Sequence, residues 1–434
     1  MTVASVNLWG SRIGAVSIER GESIATFQFT AAFAGSGVPI APIAMPLQEA
    51  PYRFPALSLE SFHGLPGLLA DSLPDRYGNA LIDAWLARQG RSPGTFDSVE
   101  RLCYVGRRGM GALEYEPGIG PRQASTDIEI DALVELASEV LTTRELVKAS
   151  FEEDERERAI RELLLVGTSA GGARAKAVIA WNPQTNAVRS GQVDAGPGFQ
   201  YWLLKFDGVH ANRDKELDDP RGFGAVEFAY YLMATAAGVS MPECRLMDER
   251  GRRHFMTRRF DRTHDGEKLH MQSLAALAHF DFNLAGAYSY EQALQVCGRL
   301  GLGMETVEQL FRRMAFNIVA RNQDDHVKNI AFLMNRQGEW RLSPAYDVTY
   351  AFRPSGEWTG QHQMTLNGKR DNFTRSDFRA VALGASMKRG RADEILDEVI
   401  TAVGRWQEYG DAARVASPQI EQIALSHRLA FPVR

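Results

Sequence analysis

The sequence predicts an α+β fold with two lobes, in which a β-rich part precedes a helical part. Short apolar runs separated by glycine, proline and asparagine recur up to about residue 260, whereas apolar residues at helical spacing dominate after residue 270. The 434 residues also exceed what one ordinary core holds. We therefore expect a small N-terminal subdomain at 1–125, a helical connector with a β-rich lobe at 126–270, and a helical lobe at 271–434.

The N-terminal subdomain begins with a predicted meander of three strands. Turn-forming glycines at positions 10 and 21 separate apolar runs at 6–9, 12–19 and 23–30. Apolar side chains then recur at helical spacing up to Arg88. The remaining elements expected here are a loop at 33–58, a helix ending near residue 88, a short helix and a strand pair within 94–115, and helices at 128–142 and 152–165.

The β-rich lobe is predicted from short strands on either side of one helix. The polar turn 182–186 separates two apolar runs, and the helix at 224–237 is followed by Gly238, a fitting C-cap. The predicted strands lie at 177–181, 187–193, 200–207, 244–248 and 253–260.

The helical lobe contains one predicted hairpin, with strands at 330–333 and 339–342 around the turn Asn335-Arg-Gln-Gly338. Elsewhere in this lobe the apolar period is helical. The predicted helices lie at 271–279, 289–300, 304–321, 376–386, 391–409 and 417–430.

Composition and charge narrow the functional classes. The 49 basic and 54 acidic side chains give a net charge of −5, so the whole surface offers no electrostatic case for binding nucleic acid or an anionic membrane. Cys103, Cys244 and Cys297 are odd in number and widely spaced, which favours reduced thiols over a disulfide framework. The N-terminus lacks the pattern of a signal peptide, and we find no apolar run of membrane-spanning length. We expect a cytoplasmic protein with no membrane partner.

Three oxygen-bearing side chains in the helical lobe are the strongest candidates for chemistry. Asp324 and Asn329 have the spacing at which protein kinases place the catalytic base and a metal-binding amide. Asp347 follows the predicted hairpin, a position that suits a second magnesium ligand, although an aspartate capping a turn also fits. Because a lone pair at this spacing is common, its weight depends on what else the chain supplies.

A glycine-rich segment and a strand lysine supply what a phosphate-binding half would need. The glycines of Gly167–Lys176 let backbone N–H groups approach phosphates, although the segment alone is more typical of a tight turn. Lys205 lies in an apolar strand and Glu227 lies early in the next helix, as in the lysine–glutamate pair of kinases. Taken singly, an edge-strand lysine and a surface carboxylate fit equally well or better.

The order of these features favours ATP-dependent phosphoryl transfer. A glycine-rich turn, a strand lysine, a helix glutamate, the Asp324–Asn329 pair and a later aspartate occur in the order found in kinases. His326, between the proposed base and the amide, is interpreted as a structural donor that fixes the loop, with a catalytic role as the alternative. Asp325 leaves the position of the base ambiguous by one residue, and the spacing favours Asp324.

Six segments together resemble the HipA family of serine/threonine kinases, the toxin half of bacterial toxin–antitoxin pairs. The resemblance covers nearly the whole chain and implies a two-lobed protein-kinase-like fold. It is carried by Leu69-Ala-Asp-Ser-Leu-Pro-Asp-Arg-Tyr-Gly-Asn79, Ser169-Ala-Gly-Gly-Ala-Arg-Ala-Lys176, Leu204-Lys-Phe206, Arg259-Phe-Asp-Arg262, Asp324-Asp-His-Val-Lys-Asn329 and Leu342-Ser-Pro-Ala-Tyr-Asp347.

The resemblance also implies a role for individual residues. Asp324 is the catalytic base, Asn329 and Asp347 bind Mg²⁺, and Lys205 binds phosphate, with Glu227 as its supporting ion pair. Ser169 matches a serine that members of the family autophosphorylate, which expels the glycine-rich loop and silences the kinase. The residues implied to contact the nucleotide ATP are Gly171, Gly172, Ala173, Arg174, Ala175 and Lys176 in the loop, Arg258, Arg259 and Phe260 in the hinge, and His326, Val327, Lys328 and Tyr346.

Partners also follow from the resemblance. Members of the family act on translation, for example on aminoacyl-tRNA synthetases, and a small helix-turn-helix antitoxin of the HipB type restrains them. DNA contact is then expected mainly through the antitoxin. Two alternatives stay open: a kinase of the same fold that acts on a small molecule, and a non-catalytic regulatory subunit of an antitoxin–DNA complex.

Overall fold

A computed structural model describes residues 1–120, 174–192, 194–209, 222–249 and 251–433, with Ile128, Ile130, Leu133, Val134, Ala137, Leu163, Leu164 and Gly167 between them. The chain divides into two compact units. The first comprises Met1–Ile40, Met45–Gly224 and Arg245–Met271, and the second comprises Ala41–Ala44, Ala225–Cys244 and Gln272–Arg434. Among the described residues, no helix combines the length and apolar character needed to span a bilayer.

An antiparallel sheet of four strands opens the first unit and confirms the predicted meander. The strand order is β3-β2-β1-β4. The last strand along the chain therefore pairs with the first, at the edge of the meander opposite to β3. Burial alternates along most of these strands, for example at Ala4, Val6 and Leu8 of the first strand, as expected for a sheet with one covered face. The strands are β1 (Thr2–Leu8), β2 (Ser11–Ile18), β3 (Thr26–Phe29) and β4 (Leu113–Glu116).

Short helices and two longer ones connect β3 to β4. The predicted strand pair within 94–115 is present as the single strand β4, preceded by a helix whose N-terminus has a capping box between Asp97 and Glu100. The predicted helix ending at Arg88 is confirmed and begins after Asp75. The helices are α1 (Ala31–Ala34), α2 (Leu59–Phe62), α3 (Gly67–Ala70), α4 (Arg76–Arg88), α5 (Ser98–Val105) and a short 3-10 helix (Pro93–Thr95). The predicted helices at 128–142 and 152–165 fall largely outside the described residues.

A second sheet of five strands contains the predicted strand lysine. The strand order is β6-β5-β7-β9-β8, so the first and third strands to appear in the chain are neighbours. Trp202 and Leu204 on the central strand are fully buried in the core of this sheet. The strands are β5 (Lys176–Trp181), β6 (Val188–Ser190), β7 (Gln200–Lys205), β8 (Cys244–Glu249) and β9 (Arg252–Arg258), with helix α6 (Phe223–Ala236) between β7 and β8 in the chain.

A buried ion cluster follows β9 in the first unit. The carboxylate of Asp261 accepts two hydrogen bonds from Arg259, at 2.9 and 2.7 Å, and one from Arg262 at 2.6 Å. The backbone N–H of Gly111, 150 residues earlier, donates to the same carboxylate at 2.7 Å. The cluster therefore ties the β4 region to the end of β9.

The second unit is mainly helical and contains the predicted hairpin. Eleven residues of helix α9 are buried, most of them apolar residues of the core, and the hairpin strands pair in the antiparallel sense. Strand β10 (His270–Ser273) leads into this unit along the chain. The helices are α7 (Leu274–Ala278), α8 (Tyr290–Arg299), α9 (Met304–Val319), α10 (Arg375–Gly384), α11 (Arg391–Val403), α12 (Trp406–Ala412) and α13 (Ser417–Ser426), and the hairpin strands are β11 (Ala331–Met334) and β12 (Trp340–Leu342).

Two predictions for the second unit were wrong in detail. The single helix expected at 391–409 is two helices, because the chain breaks at Gly404 and Arg405 and a new helix begins at Trp406. The helix expected from residue 271 begins only at Leu274, since the preceding four residues form β10. The side chain of Ser273 caps this helix by accepting from the backbone N–H of Ala276.

Candidate active site

The loop that follows α9 places Asp324 and Asn329 together. The amide Nδ2 of Asn329, at the end of a short 3-10 helix (Val327–Asn329), donates to the backbone carbonyl of Asp324 at 2.8 Å. This bond closes the loop between the proposed base and the proposed metal ligand. It also leaves the Oδ1 atom of Asn329 as the oxygen that is able to face a cation.

The carboxylate of Asp324 is partly exposed and is held through one oxygen. Its Oδ1 accepts from the indole Nε1 of Trp358 at 2.7 Å, and the Nε2 of His326 lies 3.8 Å from the same atom. Among the described residues, no group donates to Oδ2. An oriented carboxylate with one acceptor oxygen toward solvent has the form that a general base requires.

The neighbouring carboxylate, Asp325, is buried and fully engaged. It accepts from the hydroxyl of Tyr290 at 2.7 Å, from Nδ1 of His362 at 2.9 Å and from the backbone N–H of Gln363 at 2.8 Å. Burial alone would raise the pKa of Asp325, but His362 and these donors more than offset it, so the pKa is lowered. The geometry therefore favours Asp324 over Asp325 as the base.

Asn329 and Asp347 line one small cleft, together with His326 and Tyr346. Asp347 adopts the left-handed backbone conformation, with a φ of 51°, which few non-glycine residues tolerate except aspartate and asparagine. The hydroxyl of Tyr346 donates to the carbonyl of Lys328 at 2.7 Å and so ties the residue before Asp347 to the loop. The second unit thus brings both predicted metal ligands to one place.

The rest of the loop presents mixed polar and aromatic groups. The Nζ atom of Lys328 lies 4.8 Å from the centre of the Phe282 ring, whereas Val327 is buried. The ring of His326 lies between those of Phe282 and Trp358, at centroid distances of 6.3 and 6.4 Å. Its buried Nδ1 has no hydrogen-bond partner among the described residues, so a loop-fixing bond from that atom is not seen.

The first unit brings Lys205 beside the end of the glycine-rich segment. Lys205 and Lys176 are direct partners in the antiparallel β5–β7 pair, which places both side chains on the same face of the sheet. The Nζ of Lys176 lies 2.6 Å from the Oδ2 of Asp75, and both side chains are buried. In this arrangement the charge of Lys176 is balanced by Asp75.

The residues just before Lys176 show how the segment enters the sheet. The guanidinium of Arg174 lies 3.8 Å from the centre of the Phe223 ring. The carbonyl of the buried Ala175 accepts from the backbone N–H of Phe206 at 3.1 Å. Ser169, Gly171, Gly172 and Ala173 lie outside the described residues.

The predicted hinge begins with the last residue of β9 and borders a cavity of about 260 Å³. The backbone N–H of Arg259 donates to the carbonyl of Tyr201 at 2.9 Å, and its side chain is committed to the buried Asp261 cluster. Arg258 lines the same cavity as Arg259, while Phe260 is half-buried. Arg259 is therefore held by the fold of the first unit itself.

Glu227, the proposed partner of Lys205, is buried on α6. This residue belongs to the second unit, whereas Lys205 belongs to the first. Their ion pair therefore stays a prediction, as do all roles that require residues of both units.

Sequence reasoning missed the side chains that hold the loop. Trp358 lies 34 residues from Asp324, and Tyr290 and His362 lie 35 and 37 residues from Asp325. No local spacing or motif marks such pairs, because the contacts depend on how distant segments pack. One indirect signal was present in the sequence, namely the second aspartate beside the proposed base.

Comparison with known proteins identifies the family. The model of the HipA N-terminal domain matches residues 4–116, and that of the HipA-like C-terminal domain matches residues 168–406. A protein of Sinorhizobium fredii (strain NBRC 101917 / NGR234) named "Putative kinase Y4dM" is 24% identical over an alignment of 216 residues, gaps included, which covers 46% of this chain. The match spans about half of that curated relative, 51% of its length.

Solved structures bear on the fold. HipA of Shewanella oneidensis MR-1, determined with HipB and operator DNA, superposes with a TM-score of 0.68 at 15% identity, covering 97% of this chain and 94% of that one. The Helicobacter pylori proinflammatory kinase CtkA gives a TM-score of 0.33 at 12% identity, covering 59% of this chain and 94% of that chain. The Shewanella structure has the same fold as this chain and confirms the predicted α+β class, in which a β-sheet part precedes a helical part. With one family model spanning more than half of its residues, the chain belongs to the HipA family.

Proposed function

We propose that this HipA-family chain is a serine/threonine protein kinase that transfers the γ-phosphate of ATP to a protein hydroxyl. One observation carries the proposal: Asn329 and Asp347 line the same cleft while Asn329 also fixes the loop at Asp324. A base and two oxygen ligands are the groups that hydroxyl phosphorylation requires of the protein.

The donor set of the cleft fits magnesium. One amide oxygen and one carboxylate are hard ligands, and Mg²⁺ usually takes only one or two protein ligands beside phosphate oxygens and water. In the part of the chain that the structure describes, no group of three or more histidine, cysteine, aspartate or glutamate side chains is arranged to hold a metal ion by itself. When bound, the ion neutralises charge on the phosphates and thereby supports transfer.

Each protein group then has a simple task. Asp324 accepts the hydroxyl proton of the substrate through the carboxylate oxygen that Trp358 does not hold. Asn329 and Asp347 hold Mg²⁺. Lys205, on strand β7 of the five-stranded sheet, neutralises phosphate charge. The remaining proposed nucleotide contacts are Gly171, Gly172, Ala173, Arg174 and Ala175 in the loop, Arg258, Arg259 and Phe260 in the hinge, and His326, Val327, Lys328 and Tyr346.

Lys176 is the proposed nucleotide contact with the strongest competing role. Its ammonium group already has a carboxylate partner at 2.6 Å in Asp75. Contact with ATP would require that this buried pair open, at a cost of an uncompensated buried charge. We therefore rank Lys176 below Lys205 as a phosphate ligand.

The proposal includes regulation and partners. Phosphorylation of Ser169 adds negative charge beside the phosphate-binding segment and would compete with ATP. The Shewanella relative forms a complex with HipB and operator DNA, and we extend this to a helix-turn-helix antitoxin that carries the DNA contact. A translation protein, such as an aminoacyl-tRNA synthetase, is the proposed substrate, and the cytoplasm is the proposed location.

The decisive experiment measures phosphate transfer from ATP labelled at the γ-position. Asp324→Asn keeps the shape of the side chain but removes the base, so we expect transfer to fall by about 10²- to 10⁴-fold. Asp411→Asn is the matched control, because among the described residues this exposed carboxylate accepts hydrogen bonds only from Gln407 on its own helix. EDTA should abolish transfer by the parent protein.

Three results would reject parts of the proposal. Equal transfer by Asp324→Asn and the parent would exclude Asp324 as the base. Transfer to metabolites but not to any protein would favour the small-molecule kinase. Absence of both transfer and ATP hydrolysis, with ATP still bound, would favour a non-catalytic regulatory subunit.

A further inference from the structure

The segment Trp358–Gln363 holds the proposed catalytic loop through several hydrogen bonds. Trp358 donates to Asp324, whereas His362 and the N–H of Gln363 donate to Asp325. The residue before the base is held as well, because Gln323 donates to the carbonyl of Thr359 at 3.3 Å and accepts from Gln363 at 3.4 Å. One segment therefore fixes Gln323, Asp324 and Asp325, which lie just before the short 3-10 helix that ends at the proposed metal ligand Asn329.

The segment Trp358–Gln363 is in turn contacted by Arg428, which lies just after the last helix of the chain. The Nη1 of Arg428 lies 2.8 Å from the Nε2 of His362, and it also donates to the carbonyl of Ile318 at 3.0 Å. A guanidinium group can only donate hydrogen bonds, so the Nε2 of His362 must be the acceptor. The single ring proton of His362 then sits on Nδ1, where it is donated to Asp325.

Arg428 is largely buried and is held by contacts of both its side chain and its backbone. The side chain is 11% exposed and also forms an ion pair with Asp371. Burial lowers the pKa of Arg428 to about 10, with the neighbouring Arg321 acting in the same direction. The backbone is fixed too, since the N–H of Arg428 donates to the carbonyl of Val319 at the end of α9.

From these contacts we infer that Arg428 and His362 are positioning residues for phosphoryl transfer, acting on Asp324 through Asp325. The inference rests on the proposed kinase function. Arg428 selects the tautomer of His362, and that tautomer supplies a donor to Asp325. The fixed Asp325 backbone in turn determines where the adjacent carboxylate of Asp324 points.

We call the hydrogen-bonded series Arg428, His362 and Asp325 the relay, and we expect it to affect the chemical step more than nucleotide binding. None of these three side chains is among the proposed phosphate or adenine contacts. Without Arg428, the imidazole is free to carry its proton on Nε2, which leaves the buried Asp325 short of one donor. A displacement of about 1 Å at a reacting group is enough to reduce the rate by ~10²-fold.

The test compares Arg428→Met, Arg428→Lys and the control Arg391→Met in the full-length chain. Arg391 forms ion pairs with Glu308, Glu394 and Glu398, so its loss removes comparable contacts elsewhere in the second unit. For Arg428→Met we expect kcat to fall about 10- to 100-fold while the KM for ATP changes less than about twofold. Lysine retains a cationic donor and should recover part of the lost kcat, whereas the control should retain the parental kcat.

A second readout does not need catalysis. Amide hydrogen exchange in the peptide covering 321–329 should be faster in Arg428→Met than in Arg391→Met at equal thermal stability. Parental kcat and parental exchange in Arg428→Met would overturn the relay. So would a loss of kcat that merely follows a loss of folded protein. If the parent chain transfers no phosphate, the kinase proposal fails, and the exchange measurement still decides whether Arg428 holds the loop.

Discussion

At the scale of single residues, Asp261 shows how a buried charge is tolerated. Burial raises the pKa of a carboxyl group, but Arg259, Arg262 and the N–H of Gly111 more than offset this and hold the pKa of Asp261 well below its usual range. Such a group stabilises the fold because it is charged, paired and hydrogen-bonded in the folded state. Removing one partner leaves the others without compensation.

Asp261→Asn should therefore lower the free energy of unfolding by about 3–5 kcal/mol at neutral pH. Because the folded pKa is depressed, the contribution of Asp261 is complete above its ordinary pKa of about 4 and is lost as the pH falls further. Denaturant unfolding between pH 7 and pH 3 measures both effects. The control is Asp265→Asn, since Asp265 is 90% exposed. A parental stability for Asp261→Asn at pH 7 would contradict the role of the cluster.

At the scale of elements, the N-terminus of α4 combines two functions in one side chain. The Oδ1 of Asp75 caps the helix by accepting from the N–H of Gly78 at 2.7 Å, and its Oδ2 binds Lys176 of β5. Asparagine at this position can still cap the helix, but it leaves the ammonium group of Lys176 buried without its carboxylate. The ion pair is thus separable from the cap by mutation.

We expect Asp75→Asn to lower the free energy of unfolding by about 3–5 kcal/mol. Asp83→Asn on the same helix is the control, because the ion pair of Asp83 with Arg101 is partly exposed and should contribute less than about 1 kcal/mol. Urea unfolding of both variants gives the comparison. Equal losses in the two variants would show that the buried pair contributes no more than the exposed one.

Local signals predicted elements well where the chain itself carries the information. The turn Asn335-Arg-Gln-Gly338 placed the hairpin correctly, since the side chain of Asn335 accepts from the backbone N–H of Gln337 in the turn and from that of Glu339 just after it. The break after Val403 was missed because the apolar period continues through Trp406, whose ring packs in the core of the second unit. Strand β10 was missed because its four residues run without a turn into the apolar residues of α7, so the two elements were predicted as one helix.

The candidate site likewise contains residues that local patterns in the sequence predicted and residues that they did not. Asp324 and Asn329 were predicted from their spacing, and Asp347 from its position after the hairpin. The structure joins Asn329 to the backbone of Asp324 and places Asn329 and Asp347 in one cleft, whereas their roles stay predictions. Asp75 could not be predicted as the partner of Lys176, which lies 101 residues away. Arg428 is likewise 66 residues from His362. Long-range partners of this kind depend on packing that a single sequence does not report.

At the scale of the whole molecule, the proposed ligands should appear as added stability. A ligand that binds only the folded state stabilises it by about 2.7 kcal/mol at a hundredfold excess over its dissociation constant. We expect thermal unfolding to shift upward with ATP and magnesium together, and less with ATP and EDTA. Because the chain forms two units, two transitions are possible, and the shift should be read for each.

Asp347→Asn should remove most of the magnesium-dependent part of this shift, since the carboxylate is replaced by a neutral amide. Asp411→Asn should retain it in full. The measurement is differential scanning calorimetry with and without metal. A magnesium-dependent shift of parental size in Asp347→Asn would exclude this residue as a ligand.

The division into three domains at 125 and 270 remains a prediction.

The left-handed backbone at Asp347 has a consequence for how the gene can change. Glycine, asparagine and aspartate are the residues that occupy this conformation at little cost. A single base change in an aspartate codon yields asparagine or glycine, so one mutation can remove the carboxylate while the main chain keeps its shape. Natural descendants of this chain could therefore lose the proposed phosphotransfer activity and still fold, which would leave any binding role open to selection.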